Sequence, residues 1–226
     1  FRSPANVVAE IDMLVHDYGC KEILFQDDEM YAHKKRAVEI VQMIKDRKYK
    51  DLIWKNLNIA SWRMDYELIK LMKESGCYQI TISAESGNAR VLKDIIHKPT
   101  DLEMPKKVVR WCREVGIEVH ANFVIGFPGE TLDEIYDTTN YACELDADSV
   151  KFAVATPFPE TELLRVAVKM GLFPENYDFY THDYLGYANP TMETEHWTAL
   201  DLKKIRVLEW DRINFCTEEK KRRYAK

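Results

Sequence analysis

The sequence has few cysteines, and none of them lie close together. The five stand at Cys20, Cys77, Cys112, Cys143 and Cys216. An odd number spread this widely argues against a disulfide framework and against a CxxC metal site. Cys20 and Cys77 each directly follow a glycine at a junction between a helix and a strand, where a buried free thiol is the expected state. We therefore expect free thiols in a reduced, cytoplasmic protein.

Long apolar runs and a strongly basic surface are also lacking. No stretch of the 226 residues is apolar enough to span a bilayer, and the opening FRSPAN lacks the basic start and apolar middle of a signal peptide. The net charge is −6, and the basic residues cluster only in the tail, residues 220–226. These features predict no membrane span and no nucleic-acid partner.

What the sequence does contain is a regular alternation of helical and strand patterns. Tyr18-Gly19, Ser75-Gly76 and Val115-Gly116 each end a helical pattern and precede an apolar run typical of a strand. Capping-box spacings at Thr100 and Thr131 mark helix starts. The predicted helices are 4–18, 33–48, 66–75, 88–95, 102–115, 132–145, 160–170 and 199–215, and the predicted strands are 21–26, 52–60, 78–84, 117–125 and 149–155.

This alternation predicts an α/β fold with a parallel sheet and helical crossovers. Five visible strands favour an open or partial barrel over a full barrel of eight units. Because the pattern opens on a helix at Ser3-Pro4, we expect a first strand upstream of Phe1 and hence a fragment of a longer polypeptide. We divide the chain into a barrel, 1–171, and an aromatic-rich extension with a helix, 172–226.

Ligands of parallel α/β folds bind at the carboxyl ends of the strands, so the residues there are the candidate site. In chain order they are Gln26 to Glu29, then Ser61 and Arg63, then Glu85 and Ser86, then Gly126 to Glu130, then Thr156 and Pro157. Small neighbours of Glu85 would let a ligand approach it closely. The segment 126–129 predicts a bend with exposed backbone donors.

Several of these residues also have structural interpretations. Asp27 or Asp28 would cap the helix that begins near His33, and Arg63 would pair with Asp65 or Glu85. Glu130 would cap the helix that follows it. His120 and Asn122 share a strand face and would point into the barrel, where a satisfied histidine is the commoner outcome.

Taken together, the segments resemble the radical S-adenosylmethionine enzymes, in particular the branch whose members often carry a cobalamin-binding domain. The resemblance runs over residues 1–170 and is carried, in order, by RSPANVVAEI, ILFQDDEM, SWRMDYELIKLMKESGCYQI, ISAESGN, VHANFVIGFPGET and ATPFPETEL. Six motifs in the right order are far more specific than any one of them. Asn122, where a small residue is usual, and Glu160, where glycine is usual, depart from the family pattern.

The resemblance implies a partial (β/α)6 TIM-like barrel whose first strand is missing from this chain. It also implies a 4Fe-4S cluster on a CxxxCxxC loop after that strand, so that its cysteines would lie upstream of Phe1. It implies reductive cleavage of S-adenosylmethionine to a 5′-deoxyadenosyl radical, or cobalamin-dependent methyl transfer, on a small-molecule or peptide substrate. An electron donor such as flavodoxin or ferredoxin would supply the electron. The substrate is not specified by any motif.

The resemblance also assigns roles to single residues. The turn Gln26–Asp28 would face the methionine ammonium of the cofactor, and Arg63 would lie near its carboxylate. Glu85 and Ser86 would hydrogen-bond the ribose or the methionine moiety. Val124 to Gly126 would line the adenine, with Asn122 narrowing that side.

Two other functions remain open from the residues alone. Asp27, Asp28 and Glu85 would hold Mg²⁺ in a lyase or hydrolase barrel. Alternatively, a barrel without a cluster would serve as a non-catalytic scaffold. The aromatic segment 173–197 would close over a substrate or pack on the barrel mouth.

Overall fold

A computed structural model of the chain describes residues 1–27, 29–99, 101–173 and 188–224. The helices are α1 Pro4–His16, α2 Lys34–Arg47, α3 Tyr66–Glu74, α4 Glu103–Val115, α5 Leu132–Leu145, α6 Glu162–Lys169, α7 Ala199–Asn214 and α8 Glu218–Tyr224. The strands are β1 Glu22–Phe25, β2 Ile53–Ile59, β3 Cys77–Glu85, β4 Glu118–Ile125 and β5 Ser149–Val154. The five predicted strands and seven of the eight predicted helices are present, with ends that differ by a few residues. In the predicted helix 88–95, residues Val91–Ile95 form a π-helical turn instead, and α8 lies outside the predicted helices.

The five strands form one sheet in the order β1-β2-β3-β4-β5, and the strands are parallel. In the register of the first pair, Leu24 lies beside Lys55 and Phe25 beside Asn56. Sequential order in a parallel sheet requires a helical crossover after each strand, which is what the alternating pattern predicts. The predicted α/β class is confirmed.

Strand β4 shows how the two faces of the sheet differ. Val119, Ala121, Phe123 and Ile125 are buried, whereas the residues between them are more exposed. Side chains alternate across a strand, so the buried set forms a single apolar face. The alternate set, which includes Asn122 and Val124, belongs to the opposite face of the strand, as predicted.

The helix boundaries have the local chemistry that the sequence predicts. The Ser3 hydroxyl accepts a hydrogen bond from the Asn6 backbone at the start of α1, and Thr131 forms a full capping box with Glu134 at the start of α5. Gly19 and Gly76 close helices with φ of +67° and +98°, values that cost glycine little. Thr100, the other predicted capping residue, lies outside the described residues.

The chain divides into two compact units. Unit 1 comprises residues 1–84 and 103–121, and unit 2 comprises residues 85–102 and 122–226. In unit 1 the Trp54 ring is buried and packs edge-on against Phe25, with centroids 5.3 Å apart. In unit 2 Phe123 stacks on Phe152 at 5.5 Å. The predicted boundary at residue 171 stays a prediction, and most of the aromatic segment, residues 174–187, lies outside the described residues.

Among the described residues, no helix combines the length and the apolar character that crossing a membrane requires.

Candidate functional site

In unit 1, the candidate residues after β1 are exposed. Gln26 and Asp27 both face solvent, and Asp28 lies outside the described residues. Helix α2 begins after His33, which is its N-cap residue and makes no side-chain capping hydrogen bond. The alternative in which Asp27 caps α2 is therefore wrong. Its carboxylate is left available to a ligand.

Arg63 ends a 3-10 turn, Ser61–Arg63, and its side chain is exposed. Asp65 is occupied elsewhere, because it caps α3 through the Leu68 N–H at 2.9 Å and forms an ion pair with Lys34. The predicted structural pairing of Arg63 with Asp65 is therefore wrong. An exposed guanidinium at a strand end suits a carboxylate ligand.

In unit 2, Glu85 ends β3 in an unusual backbone conformation. Its φ is +66°, a left-handed value that costs a residue with a side chain about 1 kcal/mol or more. Its side chain is 17% exposed and forms an ion pair with Lys98 at 3.1 Å. Strained residues of this kind cluster at functional sites. The role of Glu85 as a cofactor ligand stays a prediction.

Lys98 is a residue that the sequence analysis missed. It follows a single π-helical turn, Val91–Ile95, and His97, whose φ is +57°. The Lys98 backbone donates to the Leu92 carbonyl at 2.9 Å, which fixes the end of the segment beside Glu85. A π-helical turn is frequent at functional sites but has no sequence signature, and only the spatial pairing with Glu85 reveals Lys98.

Ser86 is fully buried, and its hydroxyl is already hydrogen-bonded. It lies 3.0 Å from the Thr138 hydroxyl and accepts from the Asn88 backbone at 3.1 Å. The Gly87 N–H also donates to Thr138, at 3.0 Å. These contacts give Ser86 a packing role against α5, and its predicted role as a cofactor ligand stays a prediction.

The bend after β4 is built around Glu130. The Glu130 carboxylate accepts from the N–H groups of Gly126 at 2.7 Å and of Phe127 at 3.0 Å. The predicted exposed donors are thus already paired, so that prediction is wrong for these two groups. Thr131, and not Glu130, is the residue that caps α5, so the capping role of Glu130 is wrong as well.

The backbone conformation of Gly126 and its contact with Leu202 both favour glycine at this position. Its φ is +82°, and an added Cβ would lie 2.5 Å from a methyl group of Leu202 in α7. Asn122 and Val124, on the strand before it, are half-buried on the more exposed face of β4. Their predicted contact with the adenine stays a prediction.

The same bend is held at its far end by Arg90. Its guanidinium binds both carboxylate oxygens of Glu134, at 2.5 and 2.6 Å, and also donates to the Gly129 carbonyl at 2.9 Å. The hydrogen bonds from Arg90 lower the pKa of Glu134 to about 2. Because the pKa is depressed below its value in the unfolded chain, this stabilisation is complete above about pH 4.5 and is lost as the pH falls towards 2.

His120 lies in unit 1 on the more exposed face of β4. Its ring contacts the Gln79 amide at 2.7 Å and the Glu118 carboxylate at 2.9 Å. A histidine with two polar partners fits the satisfied alternative, so the geometry supplies no separate argument for substrate contact.

The cysteines do not match the requirements of an iron-sulfur cluster. Cys77 and Cys112 are buried, and burial raises the pKa of the Cys112 thiol to about 12, so this group stays protonated. Within the described ranges, no three His, Cys, Asp or Glu side chains are grouped to hold a metal ion. A 4Fe-4S cluster needs deprotonated cysteine ligands, and the five cysteines of this chain do not form such a set.

A known sequence family matches the part of the chain that contains the strand-end acids, Glu85, Lys98 and Gly126. The model of the radical SAM superfamily matches residues 1–142. The chain belongs to the radical SAM superfamily. This result confirms the resemblance drawn from the ordered motifs.

Two curated relatives are methyltransferases. The chain is 36% identical over 190 residues to cytidylyl-2-hydroxyethylphosphonate methyltransferase of Streptomyces wedmorensis, covering 81% of this chain and 35% of the relative. It is 33% identical over 207 residues to an uncharacterized methyltransferase of Pyrococcus horikoshii, covering 90% and 43%. The chain thus spans less than half the length of these radical SAM relatives.

A solved structure shares the fold. The radical S-adenosylmethionine methyltransferase TsrM of Kitasatospora setae, determined with cobalamin and a 4Fe-4S cluster bound, superposes with a TM-score of 0.67 at 22% identity. The match covers 75% of this chain and 32% of that protein. At this level of identity the likeness supports the partial-barrel fold and not a shared substrate.

One departure from the radical SAM pattern is Glu160, which stands where glycine is usual. It is exposed and has a φ of +64°, a conformation that favours the glycine usual at this position. We expect Glu160→Gly to raise the free energy of unfolding by about 1 kcal/mol, because the backbone strain disappears. Urea denaturation measures the change, and an unchanged or lower midpoint would contradict it.

Proposed function

We propose that this chain is the S-adenosylmethionine-binding core of a radical enzyme. In the complete protein it promotes reductive cleavage of the cofactor, or cobalamin-dependent methyl transfer, on a small-molecule or peptide substrate. Membership of the radical SAM superfamily supports the cofactor, and the methyltransferase relatives support the transfer reaction. The single observation that carries the proposal is the strained Glu85 paired with Lys98 at the end of β3.

The chemistry of this pair suits S-adenosylmethionine. The cofactor carries an ammonium and a carboxylate on its methionine moiety and two hydroxyls on its ribose. Glu85 accepts hydrogen bonds from an ammonium or from ribose hydroxyls, and Lys98 donates to a carboxylate. Because the two side chains neutralise each other before the cofactor binds, neither charge is left uncompensated in a half-buried place.

Other strand-end residues extend this assignment as the resemblance implies. We propose that Gln26 and Asp27 face the methionine ammonium, that Arg63 lies near the carboxylate, and that Val124 contacts the adenine. The exposed, unpaired state of Gln26, Asp27 and Arg63 supports these roles, because none of the three is engaged by a structural partner in the described part of the chain.

The cluster requires a set of cysteine ligands, and the five widely spaced free cysteines of this chain do not form one. We propose that a CxxxCxxC motif precedes Phe1 in the complete polypeptide and that the cluster binds there. When bound, it supplies the electron and the open iron site that the radical reaction needs. Sequencing upstream of Phe1 tests this, and a polypeptide without those cysteines would contradict the radical reaction.

Glu85→Gly tests the assignment of Glu85 with a matched control. The change removes the carboxylate and also relieves the positive φ, so we expect cofactor affinity to fall about 10- to 100-fold while stability is maintained or rises. Glu160→Gly makes the same chemical change at a similar φ of +64°, at a residue to which we assign no cofactor contact, and it should leave affinity unchanged. Equilibrium dialysis measures the affinity of each variant for S-adenosylmethionine, and both values are compared with that of the wild type.

Two results would count against this proposal. Equal affinity of wild type and Glu85→Gly would mean that the carboxylate does not touch the cofactor. A loss of affinity in Glu160→Gly as large as in Glu85→Gly would mean that added backbone freedom, and not the missing carboxylate, weakens binding.

A further inference from the structure

The buried carboxyl group of Glu130 has only one of its two oxygens satisfied. The side chain has no solvent exposure. One oxygen, Oε2, accepts from the backbone N–H groups of Gly126 and Phe127, at 2.7 and 3.0 Å. The other oxygen, Oε1, is buried with no hydrogen-bond partner among the described residues. Burial of a carboxylate oxygen without a hydrogen-bond donor disfavours the charged form of the group, so the geometry favours the protonated acid.

Glu130 also ties the bend to the C-terminal part of unit 2. Its backbone carbonyl accepts a hydrogen bond from the Trp197 indole at 2.9 Å, and Trp197 is almost fully buried. The side chain of Leu202, from the following helix α7, packs against Gly126. The bend is therefore fixed from inside by the Glu130 carboxyl and from outside by Trp197 and Leu202.

The charged groups that act on Glu130 are Glu134 and Arg90, and Trp197 faces it with a neutral ring. Arg90 is bound to both oxygens of Glu134, so the two largely offset each other. Burial therefore dominates and raises the pKa of Glu130 to about 7, although the two backbone N–H groups oppose it. Because the pKa is raised above its unfolded value, this group's contribution to stability is full below about pH 4.5 and is lost as the pH rises through 7.

We propose that Glu130 is a positioning residue whose buried, half-satisfied carboxyl group sets how firmly the Gly126–Phe127 backbone is held, and that protonation of this group weakens cofactor binding. The ionised carboxylate forms charge-assisted bonds to both N–H groups, and these are about twice as strong as bonds to a neutral acid. Protonation weakens them and loosens the backbone beside Val124. The affinity part of this inference rests on the proposed function, whereas the effect on the bend does not.

The first experiment observes the bend without any cofactor. The sequence contains a single Ile-Gly step, Ile125-Gly126. Protein labelled with ¹³C-carbonyl isoleucine and ¹⁵N-glycine therefore gives one correlated signal, from the Gly126 amide. Between about pH 5 and pH 9 we expect this signal to titrate in wild type and to stay fixed in Glu130→Gln. No titration in wild type, or an unchanged titration in Glu130→Gln, overturns the proposal, and the wild-type result needs no variant to fold.

The second experiment measures S-adenosylmethionine affinity over the same pH range. We expect wild-type affinity to fall about threefold to tenfold more than that of Glu130→Gln as the pH decreases through 7. The comparison removes any titration of the cofactor itself. Glu162→Gln, an exposed glutamate of α6, is the control and should behave as wild type.

The outcomes separate the two proposals. Parallel pH profiles for wild type and Glu130→Gln overturn the link between Glu130 and affinity. A protein whose Gly126 signal titrates but which binds no S-adenosylmethionine at any pH overturns the proposed function, while the hold of Glu130 on the bend stands.

Discussion

Replacing Gly87 by alanine is expected to lower the free energy of unfolding by about 3 kcal/mol or more. An added Cβ would lie 2.4 Å from the Tyr141 Cβ and 2.8 Å from both the Asp137 carbonyl oxygen and the Thr138 Cα. The Tyr141 Cβ and the two backbone atoms are fixed by the helix α5, so they cannot move away unless the helix itself is displaced. The change would also disturb the Gly87 hydrogen bond to Thr138. Urea denaturation monitored by circular dichroism measures the loss.

Gly19→Ala and Gly129→Ala are the controls for this prediction. Both positions have positive φ, +67° and +83°, but an added Cβ meets nothing within 4 Å. They should each cost only about 1 kcal/mol, from backbone strain. A Gly87→Ala protein no less stable than these two would show that α5 moves away from Gly87 easily, contrary to the contacts.

Asn214→Ala is expected to cost about 3 kcal/mol of folding free energy. The side chain of Asn214 is fully buried, accepts from the Val150 N–H at 2.8 Å and donates to the Val150 carbonyl at 2.9 Å. In this way the amide takes the place of a neighbouring strand for one residue of β5. Alanine would leave two buried backbone groups unpaired, each costing about 1–3 kcal/mol. The midpoint of thermal unfolding measures the change.

Asn140→Ala provides the comparison, because Asn140 is an exposed asparagine in helix α5. Alanine is the better helix former, so this variant should be unchanged or more stable by up to about 0.7 kcal/mol. If Asn214→Ala behaved like Asn140→Ala, the bonds to Val150 would not contribute to stability in solution.

The order of helices and strands followed from local features of the sequence. Ser3 with Pro4, the capping box at Thr131, and glycines such as Gly76 mark element ends through interactions within a few residues. Such interactions do not depend on the rest of the fold, so they can be recognised from the sequence alone. The family could also be recognised from the sequence, because its motifs occur in a fixed order along the chain.

The functional interpretation of single residues was less secure. Glu85 was singled out from its small neighbours, but Lys98 was missed because thirteen positions separate it from its partner and no periodicity connects them. The backbone donors of the bend were predicted to be exposed, yet Glu130 occupies two of them. A side chain that folds back onto its own loop leaves the same sequence signature as one that caps a helix.

The sequence by itself thus determined the alternating elements, the parallel sheet and the superfamily, since these depend on periodicity, caps and ordered motifs. Only the tertiary structure decided which polar groups are already used. It buries Ser86 against Thr138, encloses Glu130 and turns Asn214 toward Val150. The physical reason is that burial and hydrogen-bond satisfaction depend on atoms brought together from distant positions, and the identity of a residue does not specify its partners.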